Sequence, residues 1–97
     1  MNNKIFISGR ISGIRYDYAK KNFAKAEKVW SRRGYDVVNP IKLCNPNWSW
    51  LHCMIVCLWH LIQCRFVYFM PNYKFSRGSK IELKVAQFLN KMIFIDN

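Results

Sequence analysis

Ninety-seven residues suffice for one hydrophobic core and leave no room for a second. Hydrophobic residues make up 52% and aromatics 16%, which excludes a disordered chain and favours a packed interior. Sixteen Lys and Arg against five Asp and Glu give a formal charge of +11, which suits an anionic partner such as a nucleotide or nucleic acid.

In chain order, Lys4 to Ser8 is a β-branched and aromatic run that reads as a buried first strand. Its apolar part is too short for a signal-peptide core, so a cytoplasmic protein is expected. Ser8-Gly9-Arg10-Ile11-Ser12-Gly13 follows as a loop whose glycines let backbone approach a ligand. A helix is expected from Asp17, its cap, with Ala19, Phe23, Ala26 and Trp30 on the inner stripe and Gly34 as the stop. Tyr35 to Val38 reads as the second strand, ended by Asn39-Pro40. A polar loop then leads into a helix over 48–63. Arg65 to Met70 is the third strand, closed by Pro71-Asn72. A loop over 73–77 opens a helix to about Asn90 with Ile81, Val85 and Phe88 as its inner face and Leu89 beside them. Lys91 to Ile95 is the last strand.

The alternation predicts one α/β domain over 1–97: a flavodoxin- or Rossmann-like, doubly wound parallel sheet of four to five strands in three layers. Such sheets bind ligands beyond the carboxyl ends of their strands, here Ser8–Gly13, Asn39–Pro40 and Pro71–Gly78. The stretch Trp48 to Cys64 falls short of the about 20 apolar residues that span a bilayer, and no membrane partner is expected.

Cys53, Cys57, His60 and Cys64 recur at steps of four, three and four, on one stripe of the 48–63 helix. Thiolate and imidazole bind zinc, yet the four spread over roughly 16 Å of helix, too far to surround one ion. They read as packing residues, so no metal and no cofactor is expected. Without an export signal the four cysteines are expected to be thiols. The same helix is apolar on nearly every face, which predicts self-association through 48–63.

Four segments carry a family resemblance. Lys4-Ile5-Phe6-Ile7-Ser8-Gly9-Arg10-Ile11-Ser12-Gly13, Gly34-Tyr35-Asp36-Val37-Val38-Asn39-Pro40, Trp48-Ser49-Trp50, and Tyr68-Phe69-Met70-Pro71 with Ser76-Arg77-Gly78 and Glu82 resemble, in order, small nucleoside 2-deoxyribosyltransferase-like domains. The resemblance implies a homo-oligomer acting on the N-glycosidic bond of a nucleoside or nucleoside monophosphate. Glu82 would be the nucleophile, and a serine and glycine at the places of Ser76 and Gly78 hold the 5′-phosphate in relatives that hydrolyse monophosphates. Substrate contacts are then expected from Ser8, Gly9, Arg10, Ile11, Ser12, Gly13, Asn39, Ser76, Arg77 and Gly78. Glu82, in the first turns of its helix, is expected to be favoured in its ionised form. The chain departs from the family where Cys57 and Arg65 stand at positions that carry aspartates in many relatives. Two alternatives follow: a pocket that senses or sequesters a nucleotide without turnover, or a basic nucleic-acid binder, for which no recognition motif speaks.

Overall fold

The computed structural model describes residues 2–96 and is an α/β fold of four strands and four α-helices among them. β1 (Lys4–Ser8), β2 (Asp36–Val38), β3 (Phe66–Phe69) and β4 (Met92–Ile95) form one all-parallel sheet in the order β2-β1-β3-β4. Four strands in this order match the expectation of a doubly wound sheet, at the lower end of the expected strand number. No helix among the described residues is long and apolar enough to cross a membrane.

Period-two alternation distributes the two cores. Phe6, Val67 and Phe69 point to one face and pack against Cys57 and Leu61 of α3 (Trp50–Gln63), Cys64 just after it, and Ala86 of α4 (Arg77–Phe88). Ile7 packs on the other face with Phe23 of α1 (Tyr16–Arg32) and Met70. On that second face Trp30 meets the rings of Tyr35, Tyr68 and Phe94 at 5.0–5.2 Å between centroids. The inner stripe of α1 is the expected one, with Ala19, Phe23 and Trp30 buried.

Local capping corrects several boundaries. Arg15, not Asp17, is the N-cap of α1 and makes no side-chain cap bond; Asp17 sits in the first turn and pairs with Arg15 at 3.0 Å. Asn39-Pro40 does not simply end β2 but starts the short helix α2 (Pro40–Leu43). The Asn39 carboxamide oxygen accepts from the Ile41 N–H, and proline occupies the first turn, where its missing donor costs nothing. Pro71–Phe75, expected as loop, forms a 3-10 turn. The inner face of α4 is Ser79, Glu82 and Ala86, and Phe88, expected inside, is 85% exposed. Periodicity scored by apolar character cannot anticipate a helix that turns a serine and a glutamate inward. The cysteines are corrected too. Cys44 and Cys53 form a disulfide, because the turn at Asn45–Trp48 folds the end of α2 back onto the first turn of α3.

Candidate active site

The strands converge on a cavity of about 200 Å³ at their carboxyl ends. Gly9, Ile11 and Ser12 after β1 form one wall, and Pro40 and Ile41 after β2 another. Ser76, Gly78, Ser79 and Glu82 of α4 contribute the third side. The cavity lies where the chain leaves β1 for β2 and later returns to β3, the switch point at which open α/β sheets bind ligands.

Among the described residues, Glu82 is the only carboxylate on the cavity lining. It is buried, and the Ser8 hydroxyl donates to its Oε1 at 2.6 Å. The Ser8 oxygen lies 2.8 Å from the Ser79 hydroxyl, so Ser79 can donate in turn and a two-serine relay ends on the carboxyl group. Loss of water pushes the Glu82 pKa up to about 7, and the Ser8 hydrogen bond pulls the other way with less effect. This reverses the expectation that the helix start would favour the ionised form: Glu82 is the sixth residue of α4, and desolvation outweighs a dipole that fades after the first turn.

The β1 loop is built to bring backbone close. A Cβ on Gly9 would come within 2.1 Å of the Met70 methyl group and 3.3 Å of Asn72 Oδ1. The neighbouring Arg10 N–H donates to that same Asn72 oxygen at 3.1 Å, which pins the loop to the end of β3. Gly13 has φ +83°, a conformation only glycine adopts freely.

At the start of α4 the Ser76 hydroxyl caps the helix by accepting from the Ser79 N–H at 3.2 Å. Its own hydrogen is left for another acceptor, and the Arg77 and Gly78 N–H groups have no partner within the helix. Gly78 also packs under α3, where a Cβ would stand 3.2 Å from Met54 Sδ.

Of the expected contact residues, the cavity collects Gly9, Ile11, Ser12, Ser76, Gly78 and Glu82, with Ser8 directly behind Glu82. Arg10, Gly13, Asn39 and Arg77 are not part of its lining. Arg10 folds back to donate to the Ser12 carbonyl, and Asn39 caps α2 and donates to Glu27. Arg77 stacks its guanidinium 4.1 Å from the centre of the Trp50 ring.

Sequence reasoning missed the fourth wall, made by the α2–α3 connection: Cys44, Asn45, Pro46, Trp48 and Trp50, with Cys53 and Cys57 behind. The only signal was Trp48-Ser49-Trp50. Two tryptophans flanking the Ser49 N-cap suit ring stacking, and Trp48 is itself stacked on His52 at 4.0 Å.

Cys57 and Arg65 part company here. Cys57 is buried on the cavity wall, its thiol pushed up to about 12 by burial first and by the Glu82 charge second. Arg65 precedes β3 at the opposite, amino end of the sheet and is exposed there. An acid at position 65 could not reach Glu82.

The family model described as "Domain of unknown function (DUF4406)" matches residues 3–95, nearly the whole chain. The chain belongs to the DUF4406 family. The match spans every strand and helix that builds the cavity, so the site is part of the family's domain and not an appendage to it. No curated protein matches this DUF4406 chain.

Proposed function

We propose that this DUF4406 domain binds nucleoside 5′-monophosphates and cleaves or transfers at their N-glycosidic bond, with Glu82 as nucleophile. The observation that carries the reading is a single buried glutamate, held by Ser8, on the wall of a cavity at the carboxyl edge of a parallel sheet. The resemblance of the chain to nucleoside 2-deoxyribosyltransferase-like domains supplies the reaction.

In the first step a Glu82 oxygen bonds to the anomeric carbon as the carbon–nitrogen bond breaks, and the base leaves with the bonding electrons. Water, or a second base, then displaces the carboxylate. Water exclusion from the Glu82 side strengthens its interaction with a cationic sugar carbon. Trp48 and Trp50 offer faces for the base, and the Ser76 hydroxyl with the first N–H groups of α4 offers a seat for the phosphate. The excess of 11 positive charges assists any anionic ligand.

The thiol of Cys57, where many relatives have an acid, favours a second reading in which the pocket retains a nucleotide with little turnover. One experiment separates the two. Purified protein is incubated with a mixture of deoxynucleoside monophosphates, and free base and protein-bound nucleotide are both quantified by chromatography. Base release that disappears in Glu82→Gln supports the enzyme. Bound nucleotide without base release supports the binder, and neither signal defeats both. We further propose that the exposed apolar side of α3 (Leu51, Ile55, Trp59 and Ile62) joins copies of the chain.

A further inference from the structure

Three of the four cysteines meet at one point. Cys57 Sγ lies 3.7 Å from Cys44 Sγ and 3.8 Å from Cys53 Sγ, and all three sulfurs fall within 4.8 Å of one another. Cys53 and Cys57 are one helical turn apart on α3, as their spacing required, whereas Cys44 arrives from the end of α2. The stripe expected from the sequence ran along one helix and could not close around an ion; a ligand from a second element removes that objection.

The separations have a chemical meaning. Zinc bound to thiolates at about 2.3 Å in a tetrahedron places its sulfurs about 3.8 Å apart. Two of the three edges of such a site are therefore already at length. The third, between Cys44 and Cys53, is closed by their disulfide. Their Cα atoms are 5.6 Å apart, so side-chain rotation alone opens the sulfurs to that distance once the bond is reduced.

We propose that in the reduced protein Cys44, Cys53 and Cys57 hold one divalent cation of the zinc class, with its fourth coordination position open to the cavity. All three residues line the cavity, which gives the ion an entry path and leaves room for a water or a ligand oxygen. Three protein ligands with the fourth position open is the arrangement of zinc sites that bind an exchangeable ligand, and three cysteines are one of the ligand sets that form it. The site and the disulfide are alternative states of the same sulfurs.

The steps balance. A phosphine reductant gives two electrons to the Cys44–Cys53 bond, takes an oxygen atom from water to become a phosphine oxide, and that water's two protons go to the sulfurs. A dithiol achieves the same by exchange and ends as its own disulfide. The cation then displaces one proton from each of three thiols, releasing three protons and leaving a centre of net charge −1. The proposal does not depend on the nucleotide reading, because its test contains no nucleotide.

The test uses the full chain, reduced with a phosphine and titrated with Co²⁺ in the absence of oxygen. One Co²⁺ should bind per chain, with intense thiolate-to-cobalt charge-transfer bands in the near ultraviolet, and Zn²⁺ should displace it. Cys57→Ser should weaken binding at least tenfold and remove about a third of the charge-transfer intensity. Cys64→Ala, in the core and outside the cluster, should leave both unchanged. A reduced protein that takes up no Co²⁺, or binding that Cys57→Ser does not alter, overturns the site. Should the variants misfold, alkylation of the reduced parent decides. Zn²⁺ should protect Cys44 and Cys53 in peptide maps, and equal labelling with and without Zn²⁺ overturns the proposal.

Discussion

The hydroxyl of Ser8 and the carboxyl of Glu82 carry the proposed chemistry, and their pairing leads to two predictions. Glu82→Gln keeps shape and burial but cannot form a glycosyl ester, so base release should fall by at least about 10³-fold while nucleotide affinity, measured by calorimetry, changes little. An active Gln variant would remove Glu82 from the mechanism. The second concerns pH. With its pKa raised to about 7 in the fold, Glu82 keeps a proton that it would lose near 4.5 when exposed. The folded state thus binds the extra proton between those values. Stability should be unaffected by this group below pH 4.5, fall as pH rises towards 7, and level off above, by at most on the order of 3 kcal/mol. Urea unfolding at pH 5 and pH 8 should show that loss in the parent and not in Glu82→Gln. Activity should run the opposite way, rising through pH 7 as the nucleophile ionises. Ser8→Ala, which removes the donor that favours the charged form, should move that rise to higher pH. An unmoved profile would make Ser8 a packing residue only.

At the level of elements, the strands, α1 and α4 were legible because each stops at or near a glycine, proline or asparagine, and α3 because its apolar run is too long for a strand. What escaped was information carried by polar contacts. Asn39-Pro40 reads equally as a stop and as a cap with proline in the first turn, and only the bond to the Ile41 N–H decides. Glu82 was found through the resemblance, whereas Ser79, its neighbour through Ser8, has no pattern to announce it. The fourth wall was invisible since it depends on where the α2–α3 connection folds. The same elements refine the question of the missing acids. Arg65 lies at the wrong end of the sheet, which leaves Cys57 as the substitution that matters. If a second acid is what the pocket lacks, Cys57→Asp alone should increase base release, general acid assistance being typically worth 10²–10⁴-fold. No gain in a variant whose circular dichroism matches the parent would mean that position 57 is not the place of that acid. Where α4 begins, Ser76→Ala should cost about 1 kcal/mol of stability as a lost cap. It should also narrow the preference for monophosphates over nucleosides, a loss that cap removal alone would not cause.

For the whole molecule, apolar surface and charge pull in opposite directions. Leu51, Ile55 and Trp59 are each at least 60% exposed, Ile62 is 47% exposed, and their spacing of four, four and three places them on one side of α3. Water-exposed apolar area of this kind favours association of two copies about a twofold axis, each presenting the same helix. Yet each copy carries +11, and bringing two together is opposed by like charge. Salt screens that repulsion, with a Debye length of about 10 Å at 0.1 M falling to about 3 Å at 1 M. It does not weaken hydrophobic burial. Self-association should therefore tighten as salt is raised, while affinity for an anionic nucleotide should weaken over the same range. Opposite salt responses in one protein would show that the two interactions are driven by different forces. Light scattering at micromolar concentration should report a species heavier than the 11.7 kDa chain, growing more populated from 0.1 M to 0.5 M salt. Trp59→Glu should return it to 11.7 kDa with the cavity intact, since Trp59 lies outside the lining. A chain that is monomeric at both salt concentrations would leave α3 as an exposed apolar helix and assign the cavity to a single copy.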